Sequence, residues 1–278
     1  MINTDFSLDE YELRELNLMI NHIKDDFDFI GLFSGHGGVR IGKSVKAMQY
    51  GAYITSEVNR IYKLENPWNE VDNFAFKGEE LIEKAKRLPP YSVIIYDEAG
   101  SDLVNRKYMQ ATTQALLDFF RECGQLNLFL MCVLPDFFDL PKQIAINRSN
   151  YLVDIDYREG FTRGKYSFYG PKKKKILYIM GKKYYDYDCV RPDFKGHFMN
   201  RYTVDEQKYR ARKYEALTGR KKDAEDKKTR REVTSITQRD NLIYYVLEKG
   251  LMTQVEIADV TKMPQPTVSS IKKRKDGY

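Results

Sequence analysis

The chain has 278 residues, 42% of them hydrophobic and 31% charged, a balance that suits a packed core and excludes wholesale disorder. It carries 46 Lys+Arg against 40 Asp+Glu, a net charge of +6, and no apolar run reaches the roughly 20 residues needed to cross a bilayer. Three scattered cysteines (Cys123, Cys132, Cys189) and three histidines without ligand spacing exclude a disulfide scaffold and a zinc finger.

The first segment is acidic and lacks the basic end and apolar stretch of a signal peptide, so a cytoplasmic protein is expected, or one in the host cytoplasm if the chain is viral. Residues 5–26 place Leu13, Leu16, Ile20 and Ile23 at helical spacing. FDFIGLF, residues 27–33, reads as a buried strand, followed by a glycine-rich turn and a helix over 43–60. A short helix over 79–87 ends at Pro89-Pro90. SVIIY, residues 92–96, is a continuous β-branched run of the kind covered on both faces. A helix over 108–122 and a buried strand over 127–134 complete an alternation that predicts a parallel α/β sheet. The tyrosine-rich stretches 151–157, 165–169 and 176–187 predict antiparallel hairpins at the sheet edge, with Gly170-Pro171 in a turn.

The motif that carries chemistry is Gly37-Gly38-Val39-Arg40-Ile41-Gly42-Lys43-Ser44, an ungapped G-x-x-x-x-G-K-[ST] between a predicted strand and a predicted helix. Glycines let successive backbone N–H groups curl around a phosphate, and the helix N-terminus adds positive dipole at the same point. Lys43 is placed to reach the β/γ-phosphates, and the Ser44 hydroxyl to ligate Mg²⁺. Arg40 is either a phosphate contact or a solvated side chain. Further on, the apolar strand ends in Asp97-Glu98, the first suited to hold Mg²⁺ through its water shell, the second to polarise an attacking water as general base.

Together the two motifs resemble the Walker A and Walker B elements of P-loop NTPases. The adjacent Glu98 is similar to the branch with an additional catalytic glutamate, and the order of later elements is most similar to the FtsK/HerA group and its short phage and plasmid Zot-type ATPases. No guanine-reading N-K-x-D string occurs, so the resemblance implies ATP with Mg²⁺ and a RecA-like P-loop core. It also implies a homo-oligomeric ring in which an arginine from one subunit reaches its neighbour's γ-phosphate. Arg106, Arg121, Arg148 and Arg163 are candidates, with Arg148 preferred because it follows the third core strand. Asp136 falls where relatives carry a γ-phosphate sensor, but those sensors are Asn, Gln, Thr or Ser.

Charge is unevenly spread. Residues 208–278 hold 18 basic and 10 acidic side chains, a net of +8, while the rest of the chain nets −2. That asymmetry points to a polyanion partner or to a solvated tail. Residues 208–232 read as a charged linker. Beyond it, a helix over 237–248, a capping box at Thr253 and Glu256, a turn at Met263-Pro264-Gln265 and Pro266 opening a last helix resemble a helix-turn-helix. Val268 and Ile271 would be buried, leaving Thr267, Ser269, Ser270, Lys272, Lys273 and Arg274 for DNA; a protein-docking three-helix module is the alternative. The 21 tyrosines offer stacking surfaces for single strands or simply cover the sheet.

The expected organisation is therefore an α/β P-loop ATPase domain over 1–207, a linker over 208–232 and an all-α helix-turn-helix domain over 233–278. The expected activity is ATP hydrolysis stimulated by duplex DNA, driving translocation, packaging or transfer. A helicase loader or replication initiator, and an ATP-switched DNA-binding regulator, are the alternatives.

Overall fold

The computed structural model describes residues 6–35, 40–97, 99, 111–157 and 163–276. It is a mixed α/β molecule built on one seven-stranded, mostly parallel sheet. The described chain forms two compact units that divide between Lys213 and Tyr214.

In the first unit, α1 (Glu10–His22) opens on a capping box in which Asp9 and Glu12 exchange side-chain and backbone hydrogen bonds. Strand β1 (Phe29–Ser34) follows, then α2 (Lys43–Tyr62), β2 (Phe74–Ala75), α3 (Gly78–Arg87), β3 (Val93–Tyr96), α4 (Ala111–Glu122) and β4 (Phe129–Val133). A π-helical segment, Gln143–Arg148, leads into β5 (Tyr151–Asp156), β6 (Lys165–Tyr169), α5 (Pro171–Gly181) and β7 (Phe194–His197).

The strand order is β2-β3-β4-β1-β5-β6-β7. Strands β1 to β5 run parallel; β6 is antiparallel to β5, and β7 antiparallel to β6. Ile30, Leu32, Ile94, Leu130 and Leu152 point to one face and bury against Leu81 of α3, Leu116 and Phe120 of α4, Ile144 and Leu177. Successive strand residues face opposite sides, so Phe33 faces the other layer, where its ring meets Tyr50 of α2 at 5.5 Å between centroids. Helix α1 is fastened behind α2: Tyr50 donates its hydroxyl to Glu12 Oε1 at 2.8 Å, and the buried Lys46 ammonium stands against the same carboxylate.

Two expectations are corrected. The stretch 176–187 is not a strand: its first half, up to Gly181, belongs to α5. Gly170 is the extended residue before the helix and Pro171 its first residue, a position where the missing N–H costs nothing. The buried residues Lys174, Leu177, Tyr178 and Gly181 follow a helical period, while Ile176, Ile179 and Met180 are exposed. Strand β5 is likewise not a pure edge hairpin. It pairs parallel with β1 and antiparallel with β6, and its first five residues are buried.

The second unit is helical. It contains the continuation of α6 (Glu206–Glu248), then α7 (Gln254–Thr261) and α8 (Gln265–Asp276). The charged stretch 208–232 runs inside α6. Among the described residues, no helix is long and apolar enough to cross a membrane.

Candidate nucleotide site and candidate DNA interface

The first site forms where β1 hands over to α2. Gly37, Gly38, Val39 and Glu98 lie outside the described residues, so the site is seen through Gly35, the second half of the loop and Asp97. Ile41 is completely buried, packed so close to Gly35 that a β-carbon there would fall 2.1 Å from its Cδ1. The bulky loop residue is thus a plug beneath the turn. Arg40 is exposed, in the left-handed region at φ 62°. Gly42 has φ 105°, a conformation L side chains resist, and a β-carbon there would fall 3.1 Å from the Phe198 ring. The turn delivers Lys43 and Ser44 as the first residues of a 20-residue helix, whose N-terminal amides are an anion-binding surface.

Helix α2 packs on β1, β4 and β3, which carries its first turn across β4 toward the end of β3. There Ser44 donates its hydroxyl to Asp97 Oδ1 at 3.2 Å. Asp97 has no exposed surface, and its amide donates to the Ala75 carbonyl at 2.9 Å, so the backbone itself fixes the carboxylate. The sequence-predicted Lys43, Ser44 and Asp97 therefore gather at the carboxyl ends of parallel strands, the edge where α/β sheets take ligands.

A hydroxyl and a buried carboxylate side by side are hard oxygen donors suited to Mg²⁺. Among the described residues no group of three or more His, Cys, Asp or Glu could cage an ion alone. Such a pair fits an ion that completes its shell with water and phosphate oxygens.

Two side chains at this carboxylate were not foreseen. Tyr209, in the first turn of α6, donates its hydroxyl to Asp97 Oδ2, and the Lys213 ammonium stands 3.1 Å from the same oxygen. Burial, and then the neighbouring Asp97 charge, push the Tyr209 phenol well above its ordinary pKa, so it remains a donor. Its ring packs against Phe74 and Phe76. Arg212 pins the same turn by an ion pair with Glu80 at 2.8 Å. The segment that brings α6 here lies along α2: Gln49 Nε2 donates to the Met199 carbonyl at 2.7 Å and Thr203 Oγ1 to the Met48 carbonyl at 3.1 Å. These contacts join residues more than a hundred positions apart, and no local pattern announces them.

Other expected residues sit elsewhere. Arg148 Nη2 pairs with Asp28 at 2.8 Å and its Nε with the Phe120 carbonyl. Asp28 precedes β1, so Arg148 is held at the end of the sheet opposite the cradle. Arg121 pairs with Asp118 at 2.6 Å, Arg163 is exposed, and Arg106 lies outside the described residues. Asp136 Oδ1 accepts from the Phe138 amide at 2.7 Å and from the Tyr187 hydroxyl at 3.1 Å, the contacts of a structural turn. At the end of β1, Ser34 donates its hydroxyl to the buried Asp154 at 3.3 Å.

In the second unit, Ile243, Ile257, Val268 and Ile271 form a small apolar core. Helix α7 starts on the Thr253–Glu256 capping box, and Lys262 at φ 56° turns the chain toward α8. Thr267 and Ser269 are half-buried, while Ser270, Lys272, Lys273 and Arg274 are exposed. Arg274 reaches back to Asp240 at 2.6 Å, and Arg239 also binds that carboxylate.

No family model and no curated protein matches the sequence. Among solved structures, the chain is similar to the genome packaging NTPase B204 from Sulfolobus turreted icosahedral virus 2. In complex with ATP-gammaS that protein gives 15% identity and a TM-score of 0.34, over 54% of this chain and 94% of that one. The sulfate complex gives 13% and 0.35 with the same coverage. B204 from Sulfolobus turreted icosahedral virus, described as a DNA-packaging ATPase, gives 15% and 0.33, again with the same coverage. What this chain's site can do follows from Ser44 and Asp97 themselves.

Proposed function

We propose that the chain is an ATP-hydrolysing DNA motor of the additional-glutamate P-loop branch, FtsK/HerA-like and akin to the Zot-type phage and plasmid ATPases. In this reading residues 1–207 are the ATPase domain, 208–232 a charged connection and 233–278 a helix-turn-helix that engages duplex DNA. The observation that carries it is the 3.2 Å contact between Ser44, on the first turn after the glycine loop, and the buried Asp97 at the end of β3. A glycine loop with a chance G-K-S would have no reason to meet a buried carboxylate from another strand.

The chemistry follows from the side chains. Amides of the loop and of the α2 N-terminus bind the phosphates, and Lys43 neutralises the β/γ charge. Ser44 and Asp97 would hold Mg²⁺, which when bound would supply charge stabilisation at the transferred phosphoryl group. Glu98 accepts the proton of the attacking water, whose oxygen bonds to the γ-phosphorus while the bond to the β-bridging oxygen breaks, giving ADP and phosphate. A trans arginine from a neighbouring copy in a ring would complete the site. Arg148 can serve only by leaving Asp28, and a finger of this kind is worth about 10³–10⁵ in rate. The anionic partner of the exposed Lys272 and Lys273 is the DNA backbone, and a motor of this kind works in the cytoplasm of its cell or host.

The test is phosphate release with and without duplex DNA. Lys43→Ala should abolish nucleotide binding or turnover, and Glu98→Gln should bind ATP while losing about 10²–10⁴ in rate. Normal turnover in Lys43→Ala would refute the site. Full biological function in Glu98→Gln would leave a nucleotide-switched regulator in place of the motor.

A further inference from the structure

Both oxygens of Asp97 are engaged: Oδ1 by Ser44, Oδ2 by Tyr209 and Lys213. A carboxylate with no exposed surface is costly without compensating charges or donors, and a cation beside its two hydroxyl donors adds the charge compensation they lack. We infer that Lys213 is a built-in competitor for the divalent cation: its ammonium and the Mg²⁺ that accompanies a nucleotide exchange places at Asp97. This rests on the nucleotide-site reading above.

The geometry separates an anchor from a moving part. Tyr209 is wedged by its ring between Phe74 and Phe76, and Arg212 is tied to Glu80 at 2.8 Å and to the Glu70 carbonyl. Lys213 sits one turn after Tyr209 on the same helix face, partly exposed, on a flexible four-carbon stem. It can swing outward without unseating α6. An ammonium 3.1 Å from Oδ2 and a divalent ion held at Asp97 would be close like charges in a buried setting, which is strongly unfavourable. Metal loading therefore requires Lys213 to withdraw, and Lys213 raises the metal concentration at which the site fills. The same lysine protects the fold when metal is scarce, because it neutralises Asp97.

The experiment uses the full chain and ATPγS. Binding is followed by calorimetry as Mg²⁺ is raised from an EDTA-treated start, for wild type, Lys213→Met and Lys213→Arg. Lys213→Met should reach half-saturation at about tenfold lower Mg²⁺ than wild type, whereas Lys213→Arg, which keeps the cation, should stay near it. In EDTA, Lys213→Met should melt below wild type, and the gap should close in saturating Mg²⁺ and ATPγS. Equal or higher Mg²⁺ demand in Lys213→Met overturns the inference, as does a melting gap that persists at saturation. If that variant does not fold, Lys213→Gln, which keeps a donor for Oδ2, replaces it in the same comparison. A wild-type protein without any Mg²⁺-dependent ATPγS binding fails the nucleotide site itself, a different result from unchanged metal demand in the variant.

Discussion

Tyr209 donates its hydroxyl to Asp97, the carboxylate that Ser44 reaches from the other side, so the chain that leaves the sheet after β7 returns to close on the end of β3. The phenol does two jobs: its ring packs on Phe74 and Phe76, and its O–H satisfies a buried oxygen. Tyr209→Phe keeps the first and removes the second. Losing one donor to a buried charged acceptor costs about 1–3 kcal/mol. Urea unfolding of the first unit's signal should shift accordingly, and an unchanged midpoint would show that Asp97 does not depend on Tyr209.

Gly42 stands at φ 105° with Phe198 beside the place a side chain would take. A β-carbon added there would approach the Phe198 ring at 3.1 Å, on top of the backbone strain of the left-handed region, about 1–2 kcal/mol for an L residue. The strain sits in the cradle rather than in the apolar core. Gly42→Ala should therefore weaken nucleotide binding by tenfold or more while lowering overall stability by only about 1–2 kcal/mol. Wild-type nucleotide affinity in this variant would mean that the turn has slack the geometry does not suggest.

Lys174 is buried on α5, where its ammonium donates to the Ala145 carbonyl at 2.5 Å and to Ser149 Oγ at 2.7 Å, capping the end of the π-helical segment. Burial lowers its pKa from 10.5 to about 8. The unfolded chain holds that proton up to about 10.5, so between the two values the unfolded state binds more protons than the native one. Stability from this group thus rises as pH climbs from about 8 toward 10.5, the reverse of a lysine held by a carboxylate. Lys174→Met removes the slope and also removes the ammonium's bonds to the Ala145 carbonyl and Ser149 Oγ, which keep their bond to each other at 3.1 Å. The urea midpoint of wild type minus that of Lys174→Met, measured at pH 7, 8, 9 and 10, should widen with pH; a flat or shrinking difference contradicts the burial effect.

Legibility in the sequence tracked how local each determinant is. Strands β1, β3 and β4 are short apolar runs between turn signals, and the G-K-S turn marks where α2 begins, so the parallel centre and the Ser44–Asp97 pairing partners could be read directly. Helix α5 reads as a strand because Ile176, Tyr178 and Ile179 favour strands, while its helical period rests only on Lys174, Leu177, Tyr178 and Gly181. Strand β2 is two residues long, too short to show any period, and β7 (FKGH) is only half-buried and has no apolar run. Tyr209 and Lys213 looked like members of a charged linker, because their partner lies 112 and 116 positions away. Arg148 drew notice by following a core strand, yet its register puts it beside Asp28 at the far end of the sheet.

The second unit allows its exposed cations to be ranked. Lys272 and Lys273 are exposed on α8, whereas Arg274 is engaged by Asp240 at 2.6 Å, so a phosphate must compete with a carboxylate for it. If α8 lies against duplex DNA, Lys272→Ala and Lys273→Ala should each flatten the plot of log affinity against log salt by about 0.9, and Arg274→Ala by clearly less. Removing residues 233–278 should abolish most of the salt dependence together with most of the affinity. Fluorescence anisotropy with a labelled duplex across a salt series decides it. Equal slopes for all three single variants would place Arg274 on the DNA in spite of Asp240, and an intact slope after the deletion would move the DNA contact to the residues before 233.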